Sequence, residues 1–337
     1  MWRVHMSLYY LTLIFGTMMT LTANSWFIAW IGLEVNLLAI MPLMGQLNKK
    51  SSNEATIKYF MVQAFASSIF LFSSIYSSTL QTTNWLELET MGSFMICSAL
   101  LMKMGAAPFH FWVPETLSGM NWKMNFIILT WQKLAPMIMI YHTMPNNIYF
   151  TIIIIMSTIM SGILGLNQTC LRKIMAYSSI NHSSWMIAAM MNSLITWMMY
   201  FIIYIMINFT LIFIMNKFNI FNIKSMNKFF SVNKTIKFLF MLNFLNLGGL
   251  PPFSGFLPKW LVIMNLITIK FMFLATLLIM FTLIILYFYT RIALSSFSLN
   301  SQESLTIFFN ENSYFHILLN VLSTLGLLLC TLMTSIF

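Results

Sequence analysis

The sequence predicts an all-α protein that crosses a membrane many times. Of its 337 residues, 59% are hydrophobic and 7% are charged, whereas a soluble domain carries roughly 25% charged residues. The apolar residues form long runs without the alternation that is typical of a barrel strand. These observations exclude a soluble globular protein and favour a polytopic helical membrane protein over a β-barrel.

Eleven transmembrane helices are predicted, because runs of about 20 apolar residues alternate with segments that carry Asn, Ser, Pro or charge. Two of the separating segments, 217–235 and 295–314, are longer and polar. The predicted helices cover residues 4–22, 25–45, 57–80, 91–119, 123–143, 147–166, 172–191, 194–216, 236–269, 272–294 and 315–336.

The basic residues predict how these helices are oriented. With this helix count, thirteen of the 17 Lys and Arg residues fall on the side of the N-terminus, Lys270 falls on the opposite side and three lie inside helices. The positive-inside rule therefore puts the N-terminus on the cytoplasmic or equivalent side and the C-terminus opposite. The thirteen are Arg3, Lys49, Lys50, Lys58, Lys123, Arg172, Lys173, Lys217, Lys224, Lys228, Lys234, Lys237 and Arg291.

Composition also excludes several kinds of site. All seven acidic residues are Glu, which removes Ser-His-Asp chemistry and Asp-based metal sites. Cys97, Cys170 and Cys330 are too far apart in sequence to indicate a metal site or a disulfide framework. The net charge of +10 is read as loop charge that sets orientation, and no nucleic-acid partner is predicted. The N-terminus lacks a signal-peptide cleavage pattern and is interpreted as a retained first helix.

An internal repeat indicates two halves of opposite orientation. Residues 105–114 (GAAPFHFWVP) and 249–258 (GLPPFSGFLP) share the pattern G-x-x-P-F-x-x-x-x-P. They lie five predicted helices apart, so the two copies run in opposite directions. Proline interrupts a helix, and matching interruptions in two halves are typical of a transport site. The domains are therefore predicted as 1–145, broken near Pro108, and 146–296, broken near Pro252, followed by 297–337 with a polar loop and the last helix.

Four ionisable residues lie in apolar helices and are the main candidates for function: Glu34, Lys103, Lys133 and Lys259. An unpaired charge at the bilayer centre costs roughly 2.5–3.5 kcal/mol or more. A set of one Glu and three Lys suits a proton relay, since moving one charge changes the proton affinity of the next. A lateral relay predicts that the lysines lie at similar membrane depth. The alternative is a structural ion pair with lysines that snorkel to the interface.

Weaker candidates are two of the five histidines, His110 and His182. His110 follows the first break and His182 lies in the helix 172–191. Each could transfer protons, or could simply cap the broken helix or pack between helices. Glu115 is interpreted as a neighbour of a helix N-cap, and Thr169, Arg172 and Lys173 as residues that set topology. The scattered Met and Phe residues are apolar filler, and neither a metal nor a cofactor site is predicted.

Five segments together resemble the subunit 2 family of mitochondrial NADH dehydrogenase, which belongs to the antiporter-like proton-pumping subunits of respiratory complex I. The resemblance runs nearly end to end and is most specific at the two broken helices. In order, the segments are WIGLEVNLLAIMPL, LLMKMGAAPFHFWVPE, WQKLAPM, GLNQTCLRKIMAYSSINHSSWM and NLGGLPPFSGFLPKW.

The resemblance implies a role for each buried charge. Glu34 would pair with Lys103, Lys133 would be the central relay, and Lys259 would lie nearer the exit to the intermembrane space. It also implies a subunit that translocates protons while quinone is reduced elsewhere in the complex. The alternatives are a self-standing cation/proton antiporter and a structural subunit without its own proton path.

The same resemblance implies where the chain lies and what surrounds it. The expected location is the mitochondrial inner membrane, with the N-terminus in the matrix and the C-terminus toward the intermembrane space. NADH, FMN, iron–sulfur clusters and ubiquinone are expected on other subunits. The expected partners are other membrane-arm and accessory subunits of complex I and phospholipid, with cardiolipin as one candidate.

Overall fold

A computed structural model describes residues 2–45, 50–80, 86–144, 147–223, 225 and 234–297. Thirteen α-helices lie in these ranges, and strand pairing within them is limited to one bridge between Cys170 and Asn222. The predicted helix 315–336 and the basic residues Lys49, Lys224 and Lys228 lie outside the described residues. The helices are α1 Trp2–Leu21, α2 Trp26–Met44, α3 Lys50–Leu80, α4 Leu86–Met104, α5 Trp112–Gly119, α6 Trp122–Leu129, α7 Trp131–Thr143, α8 Asn147–Leu166, α9 Leu171–Met190, α10 Leu194–Lys217, α11 Lys234–Gly248, α12 Phe256–Thr268 and α13 Met272–Phe297.

Five of the described helices are long and apolar enough to cross a membrane: α2, α3, α8, α10 and α13. Local signals explain where two of them begin. Ser25 precedes α2 and its side chain accepts a hydrogen bond from the Ile28 N–H, and Ser193 does the same for Thr196 ahead of α10. A serine in this position satisfies an amide that would otherwise lack a partner at the helix start.

Two compact units organise the chain, Met1–Ile153 and Ile154–Phe337. In the first unit, α3 packs against α2, α4 and α5, while α7 packs against α1, α4 and α6. In the second unit, α9 packs against α10, α12 and α13, and α11 packs against α10 and α13. The predicted domain limits and the inverted symmetry of the two halves stay predictions.

Helix α9 is a polar segment that is buried inside the protein. It contains Ser, Asn and His residues in its centre, yet 18 of its 20 residues are buried. Its neighbours in the second unit surround it, so its surface does not need to be apolar. A helix buried on all sides in this way escapes the hydropathy criterion that identifies a helix in contact with lipid.

The two G-x-x-P-F segments are non-helical, as the sequence predicts. The chain leaves the helical conformation between Met104 and Trp112, and again between Gly248 and Phe256. The first residue after each of these helices is a glycine with positive φ, +73° at Gly105 and +75° at Gly249. Only glycine adopts this left-handed conformation without strain, which fixes where both helices end.

Three predicted helices differ from the structure. The helix predicted from residue 91 begins at Leu86, and the helix predicted from residue 57 begins at Lys50. The first turns of α3 expose Lys50, Ser51, Asn53 and Glu54, which need no apolar environment. The helix predicted over 123–143 is interrupted at Thr130, whose φ and ψ are −117° and −72°. The Thr130 hydroxyl donates 2.6 Å to the Phe126 carbonyl, and such back-bonding bends helices.

Adjacent glycines at the second break offer a matched pair of substitutions. Ala at Gly249 should destabilise the fold, because Ala pays about 1–2 kcal/mol in the left-handed region and its Cβ would lie 2.9 Å from the Lys259 side chain. Ala at Gly248 meets only ordinary contacts of 3.6 Å or more and should be tolerated. The stability of both variants is measured as protease resistance of the chain in membranes. Equal resistance of the two variants would contradict this account of the helix end.

Candidate functional site

At the first break, the last carbonyls of α4 have no following helical N–H from which to accept a hydrogen bond. The N–H of Gly105 and the N–H of Ala106 both bond to the Leu101 carbonyl, at 3.0 and 3.1 Å. This is the arrangement that closes a helix on a left-handed residue. Side chains satisfy the next carbonyls: the Trp112 indole N–H donates to Met102 O at 3.1 Å, and the Gln63 amide donates to Lys103 O at 3.2 Å.

A small polar cavity lies beside this helix end, between α2, α3, α4 and α7. The space open to the centre of a water molecule is about 10 Å³, which is enough for one water. Lys103, which is 6% exposed, contributes to its wall. The remaining lining residues are Leu33, Asn36, Leu37, Tyr59, Gln63, Gln132 and Pro136.

A chain of hydrogen bonds connects three helices across the cavity. The Tyr59 hydroxyl donates to Gln132 Oε1 at 3.4 Å, and Gln132 Nε2 donates to Asn36 Oδ1 at 3.5 Å. Sequence analysis missed these three residues and Gln63. The available signal was a polar side chain within an apolar run, since Asn36 lies two positions after Glu34 and Gln132 directly precedes Lys133.

Glu34 and Lys103 influence each other without direct contact. The half-buried Glu34 carboxylate acts on the Lys103 ammonium through its charge. Their N–O distance exceeds the 4.0 Å limit for a salt bridge. Glu34 and Lys103 therefore form no direct salt bridge, and their pairing at ion-pair or one-water distance stays a prediction.

Lys133 lies in the same unit as Lys103 and Glu34. It is 3% exposed and occupies the first turn of α7, directly after the interruption at Thr130. It follows Gln132 in sequence but does not line the Lys103 cavity. The structure therefore brings Lys133 into the interior of the first unit, on a different part of the α7 surface from the cavity wall.

The residues that follow the first break have different surroundings. His110 is 1% exposed and lies against Phe111, with ring centres 4.3 Å apart and ring planes tilted by 32°. In the described part of the chain, neither of its ring nitrogens has a partner that meets hydrogen-bond geometry, and its role stays a prediction. Glu115 lies in the first turn of α5 and forms a 2.6 Å ion pair with Lys58. Both partners are more than half exposed, and such pairs contribute about 0–1 kcal/mol.

Lys259 lies at the second break, in the other unit. It is 8% exposed, and its Nζ donates to the Gly248 carbonyl at 2.7 Å. Its ammonium group also lies 5.9 Å from the centre of the Trp185 ring, within the range of a cation–π contact. The helix end shows the same closure as the first break, because Leu250 N bonds to Leu245 O at 3.5 Å.

His182 belongs to the buried polar helix α9 of the second unit. Its Nδ1 lies 2.8 Å from the Tyr200 hydroxyl, and its ring centre lies 5.1 Å from that of Tyr204. A hydrogen-bonded His within the membrane can carry a proton or simply hold two helices together. Across the residues that the structure describes, no three His, Cys, Asp or Glu side chains lie close enough to hold a metal ion.

Comparison with known proteins assigns the chain to a family. The family model described as NADH:quinone oxidoreductase/Mrp antiporter, TM, matches residues 23–286. A protein of Anopheles gambiae named NADH-ubiquinone oxidoreductase chain 2 is 43% identical over 336 residues, which cover 98% of both chains. Proteins of the same name from Locusta migratoria and Didelphis virginiana are 39% and 42% identical, covering 98% and 77% of this chain and 97% and 76% of their own.

Solved structures share the fold at low identity. A chain of respiratory complex I from Thermus thermophilus superposes with a TM-score of 0.85 at 20% identity, over 96% of this chain and 78% of that chain. A chain of the Mrp complex from Dietzia sp. superposes with a TM-score of 0.72 at 14% identity, over 86% and 59%. The chain belongs to the NADH-ubiquinone oxidoreductase chain 2 family, within the wider family of antiporter-like membrane subunits.

Proposed function

We propose that this chain is a membrane subunit of NADH:ubiquinone oxidoreductase that translocates protons through a buried relay. The relay consists of Glu34, Lys103, Lys133 and Lys259. The observation that carries the proposal is the polar cavity beside the first helix break, where a buried lysine lies within the field of a carboxylate. A water in such a cavity could link the ammonium group to its polar neighbours.

The burial of the three lysines supports a functional role. Each is less than 10% exposed, and a charged side chain within the membrane is costly unless it is compensated. Snorkelling does not account for them, because a snorkelling lysine keeps its ammonium group in water or among headgroups. A static Glu34–Lys103 salt bridge does not account for Lys103, because the two groups are not in direct contact.

Charge coupling supplies the mechanism of the proposed relay. Two unit charges about 10 Å apart interact by about 1.7 kcal/mol at an effective dielectric constant of 20. A proton that arrives at one group therefore changes the proton affinity of the next by about tenfold. Redox chemistry in other subunits would drive the first shift, and the common membrane depth of the lysines is part of this proposal.

The alternative function is that of a self-standing cation/proton antiporter. This chain shares its fold with a chain of the Mrp complex. A metal cation requires oxygen ligands, usually carboxylates. The sequence contains no acidic residue between Glu115 and Glu303, and the residues that line the polar cavity include no carboxylate. Its own residues therefore suit protons better than metal cations. A purely structural role accounts for Lys259, which caps the Gly248 carbonyl, but it does not account for Lys103 in the wall of the polar cavity.

The surroundings of the chain are part of the proposal. The other subunits of the complex would carry NADH, FMN, iron–sulfur clusters and ubiquinone, and the location would be the mitochondrial inner membrane. The basic side, with Arg172, Lys173 and Lys217, would face the matrix and meet anionic phospholipids such as cardiolipin. The N-terminus would then lie in the matrix and the C-terminus toward the intermembrane space.

Replacing Lys133 with Met tests the central position of the relay. Met keeps an unbranched side chain of similar length and removes the charge, so packing should survive. We expect NADH-driven proton translocation by the reconstituted complex to fall about tenfold, which corresponds to about 1.4 kcal/mol. Lys123→Met, an exposed lysine on α6, is the matched control and should pump normally.

Either of two results would count against the Lys133 role. If Lys133→Met assembles and pumps at the parental rate, Lys133 is not part of the relay. If it abolishes assembly while Lys123→Met assembles, the structural alternative gains support.

Neutralising the first pair tests whether Glu34 and Lys103 act together. We expect Glu34→Gln and Lys103→Met each to reduce proton translocation about tenfold, and the double variant to lose no more than either single one, because groups that act as a unit are not additive. Glu54→Gln, an exposed carboxylate on α3, is the control. Multiplied losses in the double variant would show that the two residues act independently.

A further inference from the structure

We infer that Asn246 is a positioning residue that holds Lys259 in place for proton transfer. The inference rests on the proposed role of Lys259 in the relay. Asn246 lies in the last turn of α11, one turn before the second break, and is fully buried. It is not among the residues that sequence analysis singled out.

Two caps of opposite direction close the second break. Asn246, on the first half-helix, accepts at its Oδ1 from the Gly255 N–H at 2.7 Å and from the Ser254 hydroxyl at 3.2 Å. Lys259, on the second half-helix, donates to the Gly248 carbonyl at 2.7 Å. Each half-helix thus satisfies a backbone group at the broken end of the other, which hydrocarbon surroundings require.

These two caps are linked through the position of α12. Gly255 is the residue before α12, and Lys259 lies in the first turn of that helix. By holding the Gly255 N–H, Asn246 fixes where α12 begins and therefore where the Lys259 side chain starts. Close packing restricts the alternatives, because a Cβ on Gly255 would overlap the Asn246 carbonyl oxygen.

The first break uses a different device. There the neutral indole of Trp112 donates to the Met102 carbonyl, and the Lys103 side chain faces the cavity instead. In the aligned repeat, residue 246 corresponds to Met102, which has no side-chain amide. The amide cap and the lysine cap are therefore features of the second break.

The protonation state of Lys259 affects the strength of the hydrogen bond that caps α11. A carbonyl at the end of a helix carries partial negative charge, and a charged donor makes a stronger hydrogen bond to it than a neutral one. Loss of the proton would weaken the cap on α11, whereas the Asn246 cap on α12 does not depend on a proton. Asn246 would therefore keep Lys259 within reach of Gly248 while the charge moves.

The experiment measures protons translocated per NADH oxidised by the assembled complex in vesicles. Asn246→Leu and Asn246→Ala remove the acceptor, and Asn246→Asp keeps an oxygen in the same place. We expect the acceptor-free variants to reduce the ratio at least twofold in complexes that assemble, and the Asp variant to keep at least three-quarters of it. Asn265→Leu, the same change on the far half of α12, is the control and should leave the ratio unchanged.

A double variant separates positioning from simple stability. If Asn246 acts through Lys259, Asn246→Leu combined with Lys259→Met should have the ratio of Lys259→Met alone. Further loss in the double variant would overturn the inference. So would an unchanged ratio in the acceptor-free variants, an Asp variant as impaired as Leu, or failure of both acceptor-free variants to assemble while Asp assembles, since that pattern describes a cap needed only for folding.

The single Lys259→Met variant distinguishes this inference from the proposed function. If Lys259→Met keeps the parental ratio, the relay role of Lys259 is wrong and the inference falls with it. If Lys259→Met loses the ratio while assembled Asn246→Leu keeps it, the relay stands and the positioning role of Asn246 is wrong.

Discussion

Satisfaction of backbone hydrogen bonds at the two helix breaks is the constraint on which the rest of the structure depends. An amide or carbonyl left without a partner in hydrocarbon costs several kcal/mol. Gln63 and Trp112 supply the missing donors at the first break, and Lys259 and Asn246 supply donor and acceptor at the second. Because these caps are polar side chains inside the protein, each break also creates a place where charge can be held within the membrane.

Because charged residues are scarce, the charge of each buried ionisable group acts over a long distance. With 7% charged residues, few charged side chains lie between one buried group and the next, so screening is weak. The Glu34 carboxylate is felt at Lys103 although the groups do not touch. A closer pair would bind its proton more firmly and respond less to a distant event, so a separated pair suits a relay better than a tight salt bridge.

A feature could be predicted from the sequence when the chemistry of a single residue determines it, and not when it depends on contacts between several residues. Gly105, Gly249 and their following prolines end helices by their own chemistry, so both breaks were predictable. The interruption at Thr130 was not, because a threonine tolerates a helix and bends it only through its bond to Phe126. The cavity lining was not predictable either, since it comes from four helices that are distant in sequence.

The two breaks meet the same constraint with different groups, and this difference separates the roles of their lysines. At the first break the neutral Trp112 closes the helix end, so a change of charge on Lys103 leaves the backbone cap intact. At the second break Lys259 is itself the donor, so its charge and the local backbone are coupled. In the proposed relay, Lys103 would change its charge without disturbing its helix break, whereas Lys259 would not. The two breaks thus share the left-handed glycine that ends the helix and differ in the side chains that close it.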